Sequence, residues 1–512
     1  MMQVALTVET FTKGLKYYLN DNAFKSVAPD DLYNSLQRAV DEDFKSTLNV
    51  KKIMSSWEHQ SGFPLVTVSR SASNVVTLTQ ERFLLPNDVN SLWWIPINYV
   101  VGNNPNFTST TSDLWMEGDK AVTIDGDTAI KPFTIKDWII FNIQETSYYR
   151  VNYDDNLWKL IIKQLNTANG FKEIHVVNRA QLIDDSFSLA DADIMDYSIP
   201  FSLLQYLINE TDYIPWAVAS HNILLINSKL TGTRIYSQYQ QFVQTIVTTL
   251  YNKLGVNVIT NEPKLDRYAR VIAINLACKA GMTKCLNDTA VQLQNIIATN
   301  ATLDPDVTQS IYCNGLRTNN DNAFMYLLSK MQQSDDETER ELIINALGCS
   351  KNPTLLTMYL YSAIAPGNTY RLEEQSLVLK SVVSQGQLGL ELTMNFIANH
   401  YELIPNLIKR ILRSAATCVT TEDQLNVLDK LTMMLLSKGV VAQNAVTVNR
   451  ALAQTNLNWI LKNLEDVEEH LLTRSTTESI ASTSVLESTT AGVESTTITS
   501  LILIISLIVN LC

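Results

Sequence analysis

Histidine is scarce in this 512-residue chain: His59, His175, His221, His400 and His470 are all it has. That scarcity limits metal sites and histidine-based proton relays. No H-E-x-x-H occurs, the pattern that sets two imidazoles one helical turn apart with a glutamate between them as base. Glu58-His59 and Glu469-His470 each lack the second histidine and read as solvated or packed residues. There is no G-x-S-x-G elbow, no P-loop and no G-x-G-x-x-G after a strand. Charged residues are only 18%, and 39 Lys and Arg face 52 Asp and Glu, a net charge of −13. Nucleic acid is therefore not expected as a partner, because its phosphates demand a basic face. With 16 glycines and 13 prolines, collagen-like and Pro-rich architectures are excluded.

Hydrophobic residues make up 46%, enough for large cores, and the length suggests two to four domains. Residues 1–62 read as helices, with Asp30 or Asp31 capping "DDLYNSLQRAV" and Ile53 and Trp57 four apart in the next segment. Near Phe63 the apolar period changes from 3.6 to 2. "FPLVTVSR", "NVVTLTQERFLL", "SLWWIPINYVV", "DLWMEGDKAVTI" and "WIIFNIQETSYYRVNYD" are β-branched, aromatic-rich runs, and 63–154 has the size of a β-sandwich. Trp93–Trp94 and Tyr148–Tyr149 put one ring on each strand face, a packing pattern more than a ligand platform. From 155 to 472 the runs carry i, i+3, i+4 stripes, such as Leu457, Ile460, Leu461 and Leu464. More than 300 such residues without strands suggest an all-α superhelical domain of the HEAT or armadillo kind, although no strict repeat shows. Gly386 and Gly389 read as a turn or helix break. Asp184 and Asp185 could look like a carboxylate dyad, but they diverge by about 100° on a helix, which argues against their sharing one site and favours a structural role, with Arg179 expected to pair with an acidic neighbour.

The remaining signals concern compartment. Cys278, Cys285, Cys313 and Cys349 fit disulfides in a secreted chain, 278 to 285 closing a short loop and 313 to 349 stapling two helical segments. Buried free thiols are the alternative. N-x-S/T sequons stand at Asn106, Asn209, Asn287 and Asn300. From Thr473 to Ser500, 16 of 28 residues are Ser or Thr, the composition of an O-glycosylated stalk. It ends in "LILIISLIVNLC", 501–512, about 18 Å as a helix and too short for a bilayer core of about 30 Å. Small residues, polar spacer and apolar tail follow the order of a GPI-attachment signal, with Ser488, Ala491 and Gly492 as candidate attachment sites. A tail anchor is the alternative. "MMQVALTVETFTKGLKYYL" does not read as a signal peptide. A lipid-anchor signal without an entry signal leads to the expectation that the sequence is the C-terminal part of a longer protein.

Several passages carry a family resemblance. "WEHQSGFPLVTVSR", "LTQERFLL" and "WWIPINYV" resemble the strand domain of the aminopeptidase N family. "NIQETSYYRVNYDDNLWKLIIKQL" is similar to its G-Y-Y-R-V-N-Y-D-x-x-N-W passage, with Ser147 where that pattern has Gly. "VVNRAQLIDDSFSLA" and "YIPWAVASHNI" resemble two further passages. "ACKAGMTKCL" and "SIYCNGLR…ALGCSKN" resemble its two disulfide segments. The matches run in family order over roughly residues 5–470, and the Ser/Thr stalk with its apolar tail resembles insect gut members.

The resemblance implies the end of an α-helical catalytic domain, then a small β domain, then a helical domain covering the active-site cleft. It implies a zinc exopeptidase that removes N-terminal residues from peptides, GPI-anchored on the outer face of the plasma membrane, with room for a homodimer. The family's G-A-M-E-N motif and zinc ligands have no counterpart here, so catalytic and metal residues are assigned to no position of this chain. The expectation is a piece that is inactive alone. The alternative is a non-catalytic surface scaffold for binding or toxin docking.

Overall fold

A computed structural model describes residues 1–43, 48–84, 91–318 and 320–477. The chain divides into two units, 1–471 and 472–512, and all contacts below lie within the first.

The chain opens with α1 (Met2–Ala5), α2 (Val8–Asp21), α3 (Pro29–Asp43) and α4 (Val50–Glu58). α3 begins at Pro29, so Asp30 and Asp31 occupy its first turn rather than the cap expected for one of them. A proline fits the first helical position because the N–H it lacks has no partner there, and its φ is preset. Asp31 Oδ2 instead accepts from the Ala28 N–H at 2.8 Å. Leu6, Tyr33, Leu36, Val40, Val50 and Ile53 form a small core, closed by Trp94 from the strand region. Trp57 Nε1 donates to the Trp94 carbonyl at 2.9 Å.

All eight strands among the described residues lie between Pro64 and Tyr153. They are β1 (Pro64–Arg70), β2 (Val75–Arg82), β3 (Trp94–Ile97), β4 (Tyr99–Val101), β5 (Leu114–Glu117), β6 (Ala121–Asp125), β7 (Ile139–Phe141) and β8 (Arg150–Tyr153). One sheet has the order β6-β2-β1-β8, and β3–β5 and β4–β7 form two ribbons. β1 pairs antiparallel with β2 and parallel with β8. Trp93 is buried in the main core while Trp94 faces the opening helices, so adjacent rings serve two cores. Tyr149 is buried and Tyr148 exposed, with Tyr148 against Phe63.

Asp154 turns strand into helix, its Oδ1 accepting from the N–H of Asn156 and Leu157, both at 2.9 Å. The helices that follow are α5 (Asp155–Asn166), α6 (Val176–Asp191), α7 (Ser198–Leu204), α8 (Tyr213–Leu230), α9 (Tyr236–Leu254), α10 (Lys264–Lys279), α11 (Thr283–Thr299) and α12 (Pro305–Leu316). They continue with α13 (Asp321–Gln333), α14 (Glu337–Leu347), α15 (Pro353–Ile364), α16 (Leu372–Val383), α17 (Gln387–His400), α18 (Pro405–Thr417), α19 (Glu422–Ser437) and α20 (Gln443–Thr477). From α6 to α18 each even-numbered helix packs on the next even-numbered one. These helices therefore lie side by side, and their C-terminal ends lead into turns on one edge.

α20 returns to the start of the helical region. Trp459 Nε1 donates to the Tyr197 hydroxyl at 3.0 Å, and His470 Nε2 meets Gln205 Nε2 at 3.1 Å. Leu457 and Ile460 are buried, but Leu461, expected on the same stripe, is 76% exposed. One face meets the protein here, and Leu461 is rotated off it. The backbone of 473–477, placed by sequence in the stalk, continues α20. Helix extension from an existing turn fixes one residue per new bond, so polar residues are tolerated there. The rest of the stalk and the tail, with Ser488, Ala491 and Gly492, lie outside the described residues.

Candidate functional site

Two polar groupings in the helical region bear on chemistry. The first lies where β8 meets α6. Arg150 Nη1 donates to Asp184 Oδ2 at 2.6 Å and to Asp185 Oδ1 at 2.9 Å. The two aspartates thus share one cation, which corrects the sequence expectation. Their 100° divergence is real, but an arginine arriving from a strand is long enough to meet both. Asp185 Oδ2 also accepts from the Val151 N–H at 3.0 Å. Burial raises the Asp185 carboxyl to about 6, although Arg150 pulls the other way. Glu145 stands nearby, raised to about 8 by burial and then by the charges of Asp185 and Asp184. Arg179 does pair with acids, Glu210 at 2.7 Å and Asp212 at 2.6 Å. The Arg150 and Arg179 ion pairs both join elements of the fold, and neither opens a cleft.

The second grouping lines a cavity of about 470 Å³. Its walls come from the turns that follow α8, α10, α12, α14, α16 and α18, because the even helices all end on this edge. Lys279 closes α10 and Arg317 caps α12. Lys351 stands in the turn before α15, exposed at the rim. No aspartate or glutamate lines the cavity. Arg317 Nε donates to Asn314 Oδ1 at 3.1 Å and Nη2 to Gln385 Oε1 at 3.1 Å. Burial lowers the Lys279 ammonium to about 8, with the Arg317 charge adding to the effect. Burial lowers Arg317 to about 10, and burial followed by the Arg317 charge lowers Lys351. The free thiol of Cys418 lines the same space and is raised by burial.

Gly386 enters this wall at φ +88° and caps α17 without a side-chain hydrogen bond, as only a residue lacking Cβ does easily. Gly386, Gln387, Leu388 and Gly389 all face the cavity, so the uncapped N-terminus of α17 opens into it. The two glycines therefore mark a helix start and a close helix crossing; the sequence pattern showed only a break.

Cys278 and Cys285 form one disulfide and Cys313 and Cys349 another. The second touches the cation grouping, with Arg317 Nη2 at 3.7 Å from Cys313 Sγ and 3.9 Å from Cys349 Sγ. Asn106, Asn209, Asn287 and Asn300 are all exposed. Asn106 Oδ1 accepts from Thr108 Oγ1 at 2.7 Å, whereas Thr289, the hydroxyl residue of the Asn287 sequon, is fully buried. Among the described residues no three His, Cys, Asp or Glu side chains come together as a metal would require. Sequence reasoning missed the cavity, since nothing in the patterns around Lys279, Arg317 and Lys351 links them.

Comparison with known proteins shows that residues 138–456 match the family described as the ERAP1-like C-terminal domain. Aminopeptidase N of Plutella xylostella is 32% identical over 490 residues, covering 90% of this chain and 51% of that protein. Aminopeptidase N of Bos taurus is 28% identical, covering 91% of this chain and 49% of its own length. Membrane alanyl aminopeptidase of Heliothis virescens is 27% identical, covering 79% and 40%. The chain spans about half the length of the first two relatives.

Proposed function

Because the chain belongs to the aminopeptidase N family and carries its ERAP1-like C-terminal domain, we propose that it serves as the C-terminal part of a membrane-anchored zinc aminopeptidase removing N-terminal residues from peptides. The observation that carries this reading is the continuous match of 138–456 to the domain, together with relatives aligned over about nine-tenths of the chain. In this reading the helical domain covers the cleft and governs which peptides reach it. The polar edge cavity, lined by turns from six helices, supports a surface that meets solutes as well as packing.

Zinc in such an enzyme supplies a polarised water as nucleophile. The described residues do not fit it. His59 Nδ1 lies 3.1 Å from the Ser55 carbonyl, His470 is engaged with Gln205, and among the described residues no three His, Cys, Asp or Glu side chains gather around a common point. No catalytic step is therefore assigned to these residues. Anchoring is read from the sequence at 501–512, since no described helix is long and apolar enough to cross a membrane. The exposed sequons and two disulfides accord with the outer face of the cell.

Immunodepletion tests the reading. Antibodies against the helical domain are added to solubilised membranes of the expressing tissue, and hydrolysis of leucine 4-nitroanilide is followed. The expected result is that chelator-sensitive activity leaves with the chain. Full activity in the supernatant after the chain has been removed would sink the reading.

A further inference from the structure

Lys279, Arg317 and Lys351 come from three separate helix ends and converge on one cavity that no carboxylate lines. Among the described residues neither lysine ammonium makes a hydrogen bond or ion pair, and Arg317 Nη1 has no hydrogen-bond partner. Like charges gathered without counterions are costly, and burial increases the cost. One competing employment is neutralising the negative ends of the surrounding helices. Lys279 and Arg317 do not perform it directly, since neither donates to a backbone carbonyl; Arg317 is held instead by the Asn314 and Gln385 side chains. A contrast lies on the same helix as Lys279: Arg270 donates to the carbonyl of Leu254, the last residue of α9, and pairs with Glu262.

The same cavity receives the start of α17, a 14-residue helix whose cap, Gly386, offers no side-chain acceptor. The first N–H groups of a helix are donors without intrahelical partners and carry partial positive charge. Cationic side chains and the first backbone donors of α17 therefore share one space, with the Ser350 hydroxyl in its wall. The hydroxyls of Thr231 and Thr233 also line it but already donate to the Asn227 and Leu230 carbonyls. A carboxylate presents two oxygens and one charge. A tetrahedral dianion presents three or four oxygens and up to two charges, which matches this donor set better.

We propose that this cavity is a binding site for a phosphate or sulfate group, held by Lys279, Arg317 and Lys351 and by the N-terminus of α17. The proposal does not depend on the peptidase reading, because it concerns donors present in this chain.

Titration calorimetry on the full chain tests it, with sodium sulfate, inorganic phosphate and sodium acetate as probes at constant ionic strength set with sodium chloride. Sulfate and phosphate are expected to bind at least tenfold more tightly than acetate. Arg317→Gln and Lys279→Gln are expected to weaken sulfate binding tenfold or more, and the exposed Lys430→Gln to leave it unchanged. Lys351→Gln, at the exposed rim, carries the test if the variants at half-buried Lys279 and Arg317 fail to fold. O-phosphoserine and glucosamine 6-sulfate identify the source. Tighter binding than the bare ion means that the remaining cavity holds an ester, and equal binding means a free ion. Heats no larger than those of chloride, a preference for acetate, or unchanged sulfate binding in folded variants would overturn the proposal.

Discussion

Arg340 holds Glu374 with two parallel bonds, Nε to Oε1 at 2.7 Å and Nη2 to Oε2 at 2.9 Å, where α14 packs on α16. The side chains are 9% and 2% exposed, so this is a buried, bidentate pair. The Arg371 N–H adds a third bond to Glu374 at 2.8 Å. Removing one partner leaves a buried charge, which typically costs about 3–5 kcal/mol. Glu374→Ala is expected to lower stability by that order in urea unfolding, and Arg340→Met with Glu374→Leu to recover most of it. The pH dependence follows from the carboxyl, which Arg340 holds down at about 2. A depressed carboxyl stabilises fully above its unfolded value of roughly 4.3 and loses that contribution as pH falls toward 2. The wild type should therefore lose stability through this window more steeply than Glu374→Ala. A cost below about 1 kcal/mol would mean that the pair is solvated in solution.

Glu145 has the opposite sign. Its carboxyl is raised to about 8 by burial and by Asp185 and Asp184. Between about 4.3 and 8 the folded chain keeps a proton that the unfolded chain releases, so stability falls as pH rises through that range. Glu145→Gln keeps the shape and removes the titration. It should flatten the decline and raise stability at pH 8.5 by up to roughly 5 kcal/mol, since each unit between about 4.3 and 8 corresponds to about 1.4 kcal/mol. A slope between pH 4 and 6 should persist, because Asp185 is itself raised to about 6. Parallel pH profiles for variant and wild type would show that Glu145 is ionised freely in the folded chain.

Much of this architecture was legible as periodicity. The change from period 3.6 to 2 near Phe63 is followed one residue later by β1, and the apolar stripes after Asp155 become α5 onward. Such signals are local, because each residue's face is set by its own turn or pleat. Leu461 shows their limit, since a stripe says which residues share a face but not how wide the buried face is. Asp184 and Asp185 failed for a related reason: helix geometry separates them, and only the strand beside the helix brings Arg150 to both. The cavity cations were illegible altogether. Their convergence depends on even-numbered helices ending on one edge, a property of packing that no sequence window contains.

The two disulfides should differ in worth. Cys278–Cys285 closes 7 residues and Cys313–Cys349 closes 36. Loop-closure entropy gives about 2 kcal/mol for the short loop and about 4 kcal/mol for the long one. Replacing both members of the longer bridge with alanine should lower the denaturant midpoint more than doing so at the shorter one. The longer bridge also backs Arg317, so its loss should disturb the cavity cation as well. Equal losses would mean that local strain, not chain entropy, sets the contribution of each.

Gly389 allows a sharper contrast, because two effects oppose each other there. It lies inside α17, where alanine is ordinarily favoured by about 1 kcal/mol as a helix former. A Cβ at this position would stand 1.9 Å from the Val382 carbonyl oxygen, in the last turn of α16. A backbone carbonyl in a helix cannot swing aside, so α17 would have to lift away from α16. Gly315 in α12 is also helical and close-packed, but its nearest obstacle is Leu293 Cδ2 at 2.8 Å, the end of a flexible side chain. Overpacking against movable atoms costs about 1–3 kcal/mol, and against fixed ones more. Gly389→Ala is therefore expected to destabilise by about 3 kcal/mol despite its better propensity, and Gly315→Ala by about 1 kcal/mol. Thermal melts of the two variants decide the matter. If Gly389→Ala is the milder change, the start of α17 can shift at little cost, and the donors it presents to the cavity are not rigidly placed.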